Sequence, residues 1–251
     1  MLMNTNRIGN QLIKLNVVDS TNNYAAKYLK QTKIPFGTVI MAQYQTDGKG
    51  QVNSVWNANK SDNILMSVIL DTSFLSFNRI FYLSKIVSLS IHESLNSFDI
   101  GNVFIKWPND IFVNKDKIAG ILIENQWKGL SLISSIVGIG VNVNQTVFPE
   151  SYNATSLKLL KSKTYSLDEV LEKIIVRMNY NFSLLKNLSF DKIDSHYHKY
   201  LLNYNKVTDF FIKNKVVKAK LCRVDSVGKI VLKMDNNKLK RYDLKQVKQI
   251  I

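Results

Sequence analysis

The chain has 251 residues, 45% of them hydrophobic, enough to bury a substantial core in one or two domains. No apolar run reaches the ~20 residues of a membrane span, the N-terminal stretch lacks the apolar centre and cleavage site of a secretory signal, and the expected compartment is the cytoplasm. One cysteine, Cys222, excludes an internal disulfide, three scattered histidines (His92, His196, His198) argue against structural zinc, and a formal charge of +15 asks whether the partner is acidic.

In chain order, Asp19-Ser20-Thr21 offers N-cap candidates and opens a helix over 20–32, which Pro35 and Gly37 end. TVIMAQYQ (38–45) reads as a strand leading into a polar loop, 46–63, and NILMSVIL (63–70) as a strand apolar on both faces. Ile80, Leu83, Val87, Ile91 and Leu95 recur at helical spacing, which predicts a core-facing helix over 79–98. Residues 103–124 read as a hairpin: Trp107-Pro108-Asn109-Asp110 punctuates it, and Asn114-Lys115-Asp116 has hairpin-loop composition. A buried strand follows at 132–144. Ser166-Leu167-Asp168-Glu169 is a capping box opening a helix to about Lys186, and a further helix covers 190–202.

From Asn205 the texture changes to short strands with turn signals at Asp225-Ser226, Gly228 and Asp235-Asn236-Asn237, which predicts a small β-barrel. The expected fold class is α+β, with a mixed-sheet domain carrying packed helices at 1–204 and a small barrel at 205–251. The positive charge concentrates locally only from Lys213 to Lys248. The arginines are only Arg7, Arg79, Arg177, Arg223 and Arg241, and lysine alternates with Asn, Ile and Tyr throughout. That pattern is a compositional bias more than a nucleic-acid face, which clusters arginine with aromatics.

Glycine is scarce, ten in all, yet Gly48 and Gly50, Gly120, and Gly138 and Gly140 fall in three short places. Gly48-Lys49-Gly50 follows a strand, and such a loop can wrap a phosphate with its N–H groups and its ammonium. It lacks the Walker spacing. Gly138 and Gly140 stand inside an apolar strand without a third glycine opening a helix; close backbone packing or a ligand explains them. No serine occupies a nucleophile elbow and Cys222 has no evident base, so covalent catalysis through the enzyme has little support. A lysine-bearing loop beside a hairpin carrying Asp110 and Lys117 suits activation of a carboxylate by a nucleotide, where cations offset phosphate charge.

VDSTNNYA (18–25), AQYQTDGKGQVNSVW (42–56), KWPNDIFVNKDKIAGILIE (106–124) and GIGVNVN (138–144) stand in one order along the chain. With them the sequence resembles the biotin protein ligases over nearly its whole length. The resemblance implies a class II synthetase-like biotin/lipoate ligase fold with an SH3-like barrel that assists ATP and carrier binding. It also implies a two-step reaction. Biotin attacks the α-phosphate of Mg-ATP to give biotinyl-5′-AMP, and a lysine of the biotin carboxyl carrier protein of acetyl-CoA carboxylase then displaces AMP. By the same resemblance Ser20, Thr21, Asn22, Gln45 and Gly120 bind biotin, and Lys49, Gly50 and Gln51 belong to a loop closing over biotin and the adenylate phosphate. Lys117 touches carboxylate and α-phosphate, Asp110 orients the acceptor amine, and Trp56, Asn109 and Asn142 lie on the nucleotide side. Lys117, Asp110 and Lys49 are the catalytic candidates. The magnesium travels with ATP and no protein metal site is implied.

Many relatives carry Gly-Arg-Gly-Arg-x-Gly in the loop, where this chain has Gly48-Lys49-Gly50-Gln51-Val52-Asn53. Lysine cannot make the forked contact of arginine, so retention of the adenylate is in question. A lipoate or octanoate ligase would share the architecture but usually carries an Arg-Arg-x-x-Gly-Gly-Gly segment, which this chain lacks. Asp19-Ser20-Thr21 stands too near the start to leave room for a DNA-binding helix-turn-helix, so a monofunctional ligase without DNA or membrane partners is expected. Nucleic-acid binding through the basic C-terminal barrel is the remaining alternative. A homodimer is compatible with the sequence.

Overall fold

Seven strands build the larger sheet: β1 (Leu12–Val18), β2 (Val39–Gln45), β3 (Asn63–Asp71), β4 (Val103–Lys106), β5 (Asp110–Val113), β6 (Asp116–Lys128) and β7 (Ser131–Asn142). Their order is β1-β2-β3-β7-β6-β5-β4; β1 and β2 pair in parallel and the other neighbours antiparallel. The computed structural model describes residues 7–31, 35–51, 54–150 and 152–250.

β3 shows why the sheet has two working faces. Ile64, Met66, Val68 and Leu70 enter the large core, while Ile69 joins a smaller cluster with Ala25, Ile40 and Ile136. The smaller cluster lies under α1 (Thr21–Gln31). The large core lies under α2 (Phe81–Asn96), α4 (Leu167–Lys186) and α5 (Phe190–Tyr200), with a short α3 (Leu157–Lys161) between sheet and α4 in sequence. A strand covered on both sides has no polar alternation, as the apolar run NILMSVIL indicates.

The predicted helices and buried strands appear within a few residues of their expected limits. Ser166 caps α4 by accepting from Glu169 N at 3.5 Å, the forward half of the predicted box. Sequence reading missed β1 and α3. β1 is an edge strand with mostly exposed or half-exposed side chains, so no apolar run marks it. α3 is a single capped turn, held by Ser156 Oγ accepting from Leu159 N. The predicted hairpin is two. Trp107-Pro108-Asn109, with a cis Trp107–Pro108 bond, turns β4 into β5 and sets Lys106 opposite Asp110. Asn114 (φ 55°) and Lys115 turn β5 into β6.

The C-terminal strands β8 (Val207–Ile212), β9 (Lys215–Val224), β10 (Ile230–Met234), β11 (Leu239–Tyr242) and β12 (Val247–Gln249) form a second sheet, ordered β11-β10-β9-β8-β12. Where a small barrel is expected, the described residues form an open sheet. Closure requires a ladder between the two edges, and here β11 pairs with β10 while β12 pairs with β8.

This sheet is tied to the larger domain by several hydrogen bonds, among them Gln249 Nε2 to Leu202 O at 3.1 Å. Val224 O accepts from Lys85 Nζ and Val224 N donates to His198 Nε2, both at 2.9 Å. Lys85 is wholly buried, and burial holds its ammonium below the usual lysine pKa against the pull of Asp194, 2.6 Å away. Four residues beyond Val224, Gly228 O accepts from Trp107 Nε1 at 2.9 Å, which fixes the turn between β4 and β5.

Candidate functional site

Between the N-terminus of α1, the α1-side face of β3, β6 and β7, and the segment from Leu244 to Gln249 lies a cavity of about 580 Å³. A second, about 700 Å³, is lined by Phe112, Phe148, Tyr152, Phe211 and Asn142. Trp56, Lys106, Lys117, Lys248 and Gln249 line both. Two chambers with a shared lysine-rich wall suit two ligand parts that meet, one of them anionic.

The far end of the first cavity is polar and buried. Ser20, Thr21 and Asn22 are at most 3% exposed at the start of α1. Gln45, at the end of β2, accepts from Thr21 N at 2.8 Å and from Thr21 Oγ1 at 3.0 Å, and so caps that helix. Ser67 Oγ lies 2.7 Å from Thr21 Oγ1 and 2.6 Å from Asn22 Oδ1, and Asn22 Nδ2 donates to Glu124 Oε2 at 2.7 Å.

The floor explains the glycines. Gly120 and Gly140 stand opposite one another in the β6–β7 ladder. A Cβ at Gly140 would lie 2.4 Å from the Trp56 ring, and one at Gly120 2.8 Å. At Gly138 it would lie 2.5 Å from Asn22 Oδ1. Close approach of side chains, not positive φ, requires glycine at these three strand positions. Trp56 therefore sits on the sheet inside the site, its Nε1 buried without a hydrogen-bond partner and Lys117 Nζ 5.4 Å from its ring.

At the shared wall the two turns of the hairpins converge. Lys117 Nζ stands 2.6 Å from Asp110 Oδ1 as an ion pair, both side chains about one-quarter to one-third exposed (32% and 23%). Lys117 N and O also bond Asn153 O and Thr155 N, which ties β6 to the segment over the second cavity. Lys106 is held below the usual lysine pKa, first by burial and then by Lys248 and Lys117, with Asp110 opposing. Asn109 braces the turn: its Nδ2 donates to Ile121 O at 2.6 Å and its O accepts from Ile121 N at 3.0 Å.

Of the sequence-derived candidates, Ser20, Thr21, Asn22, Gln45, Lys49, Gly50, Gln51, Asp110 and Gly120 line the first cavity, and Trp56 and Lys117 line both. Asn109 lies on the first cavity and Asn142 on the second, where its Nδ2 donates to Thr155 O at 3.0 Å. Lys49 Nζ reaches Asn23 Oδ1 at 2.6 Å, and Gly50 N closes the loop on Ser54 O at 2.7 Å. Asn53, with Val52, lies outside the described residues. Sequence reading passed over Ser67, Glu124 and Lys248. Glu124 had a signal: on β6 it shares a face with Gly120 and Leu122, opposite Ile121 and Ile123. Lys248 had none, being one lysine among many. Among the described residues no group of three or more His, Cys, Asp or Glu side chains could hold a metal ion, and no helix is long and apolar enough to cross a membrane.

Paired chambers, a lysine-bearing wall and a glycine floor on this mixed sheet define an α+β protein with a two-part small-molecule cleft. The model of the biotin/lipoate A/B protein ligase family matches residues 15–144, more than half of the sequence, and the chain belongs to that family. The bifunctional ligase/repressor BirA of Bacillus subtilis is 27% identical over 244 residues, 96% of this chain and 74% of that protein. BirA of Bacillus spizizenii is 32% identical over 69% of this chain. The chain spans only about half (54%) of that second relative's length. Among solved structures, the biotin protein ligase from Aquifex aeolicus in complex with biotin and ATP superposes with a TM-score of 0.79 at 26% identity, covering 96% of this chain and 100% of that one.

Proposed function

We propose that this chain is a biotin–protein ligase that makes biotinyl-5′-AMP from biotin and Mg-ATP, then transfers the biotinyl group to a lysine of a biotin carboxyl carrier protein. The observation that carries the reading is the Asp110–Lys117 pair at the wall shared by the two cavities. Biotin fills the first cavity with its bicyclic ring at the polar end formed by Thr21, Asn22 and Gln45. ATP enters through the second, with Phe112, Phe148 and Tyr152 offering apolar surface to its base.

In the first step a biotin carboxylate oxygen attacks the α-phosphorus, and the bond to the bridging oxygen of pyrophosphate breaks. Lys117, with Lys106 and Lys248 nearby, offsets charge where carboxylate and phosphate meet. In the second step the acceptor amine attacks the acyl carbon and AMP leaves with the acyl oxygen. Asp110 is placed to orient that amine and to accept its proton once Lys117 has turned to the phosphate. The division of labour assigns the chemistry to residues 1–204 and a supporting wall, with Lys248, to 205–251.

Biotin-dependent exchange of pyrophosphate into ATP tests the assignment, with lipoate and octanoate as controls. Exchange with biotin well above either control is expected. Exchange with lipoate exceeding that with biotin would overturn it.

A further inference from the structure

We infer that Lys85 and His198 are positioning residues that clasp Val224, seat the β9–β10 turn against the hairpin carrying Asp110, and let go when His198 takes a proton. The consequence for the transfer step rests on the ligase reading above; the clasp does not.

The clasp closes an open strand edge. Pairing between β8 and β9 reaches only as far as Val207 opposite Lys220, so Val224 runs past its neighbour on that side. A buried backbone N–H and C=O need partners. Side chains of the larger domain meet both: Lys85 Nζ from α2 donates to Val224 O, and Val224 N donates to His198 Nε2 from α5, each at 2.9 Å. The direction of these bonds is fixed. Lys85 only donates, so it belongs on the carbonyl. A backbone N–H also only donates, so His198 Nε2 carries no proton and the ring is neutral, a tautomer assigned from this contact.

A stiff turn joins Val224 to the site. Asp225 Oδ1 accepts from Val227 N at 3.2 Å and from Lys229 N at 2.9 Å, while Asp225 N donates to Lys229 O. Gly228 (φ 91°) abuts α2, where a Cβ would lie 2.4 Å from the Phe81 ring. Its carbonyl holds Trp107 Nε1, and Trp107 opens the turn that sets Asp110 opposite Lys106. A displacement at Val224 therefore passes to Trp107 and on to the Asp110 carboxylate. The end of the chain that lines both cavities is tied elsewhere, by Gln249 Nε2 to Leu202 O, so ligand binding is spared.

Protonated His198 would turn an N–H toward the Val224 N–H, with Val224 O already taken by a cation. Around the ring stand Lys85 and Tyr82 from α2, Arg79 just before it, Asp194 and Tyr197 from α5, Tyr204 beyond it and Asp225 after β9. Burial first, then Lys85, hold His198 below the usual histidine pKa of 6.5, against Asp194 and the backbone of Asp194 and Val224. The folded pKa is the lower one, so the clasp is whole above pH 6.5 and opens as pH falls through the folded value.

The test isolates Trp107 emission by replacing Trp56 and Trp127 with phenylalanine, and titrates it from ~pH 8 to ~pH 5. Pyrophosphate exchange and transfer from preformed biotinyl-adenylate are followed in protein with its three tryptophans intact. Emission should shift as pH falls in the parent and stay level in His198→Gln, whose amide oxygen still accepts from Val224 N without titrating. His198→Ala should show the low-pH emission throughout and lose ~10-fold in transfer, with exchange and the KM for ATP within ~2-fold. Should His198→Ala not fold, the titrations of the parent and His198→Gln decide. Parent emission that does not move, a shift that persists in His198→Gln, or equal losses of exchange and transfer in His198→Ala would overturn the inference while leaving the ligase reading intact. A parent without biotin-dependent exchange would remove the ligase reading, and the emission titration would still decide the clasp.

Discussion

Replacing Gly140 with alanine would set a methyl carbon 2.4 Å from Trp56 Cε2 and 2.8 Å from its Nε1. Carbon contacts are comfortable near ~3.5–4.0 Å, so something must yield by roughly 1 Å. β7 is paired along both edges, with β3 and with β6, and shifting it would disturb two ladders. Trp56 lies on the loop between β2 and β3, anchored by Trp56 N to Gly48 O. The ring should therefore leave its seat. A forced shift of a packed strand costs about 1–3 kcal/mol; a displaced, partly exposed ring should cost the fold less, on the order of 1 kcal/mol or below. The loss should instead appear in ligand binding, since Trp56 lines both cavities. A fall in ATP affinity of ~10-fold corresponds to about 1.4 kcal/mol. The assay is urea unfolding, ATP titration and tryptophan emission, with Trp56→Phe subtracting the signals of Trp107 and Trp127. A drop in unfolding free energy of ~3 kcal/mol or more with the Trp56 emission unchanged would show that the strand gives and the ring stays, and would refute this account.

Lys117→Ala should stay folded and lose most pyrophosphate exchange, on the order of 3–4 kcal/mol of transition-state stabilisation; normal exchange in a folded variant would remove Lys117 from the chemistry. Asp110→Asn should impair transfer from preformed biotinyl-adenylate more than exchange, and equal losses would assign Asp110 to the nucleotide or the fold. In the loop, Gln51→Arg should slow adenylate release and Lys49→Ala speed it, followed by competitor chase; release unchanged by Gln51→Arg would mean that Lys49 alone holds the intermediate. His92 is buried, with its Nε2 donating to Val103 O, and burial pushes its pKa down from 6.5 to about 4, with Lys199 adding to the fall. The unfolded chain thus takes up this proton first. The His92 contribution to stability should be full well above pH 6.5 and fall by about 3 kcal/mol toward pH 4, and His92→Gln should flatten that slope in urea titrations between those values. An identical slope would place the titration elsewhere.

Much of this protein is written in local pattern. The run 63–70 could only be a strand covered on both faces, the apolar positions of 79–98 a helix against a core, and Asn114-Lys115 a turn; each depends on neighbours in sequence. Asp110 and Lys117 were legible as separate candidates on one hairpin segment, seven residues apart in the chain; that they stand 2.6 Å apart as an ion pair came from the structure. Long-range packing decided the rest. β1 forms because β2 offers it a parallel edge, and nothing within its own residues requires a strand. The C-terminal strands were countable, but whether their sheet closes depends on which edges meet. Gly138 and Gly140 announced a close approach without naming the visitor. Only the tertiary structure brings Asn22 and Trp56, from a helix and a loop far upstream, onto that backbone. Glu124 reads in the sequence as a polar residue in an apolar strand, and its partner lies 102 residues away. A pairing of that kind exists only once folding has assembled both partners.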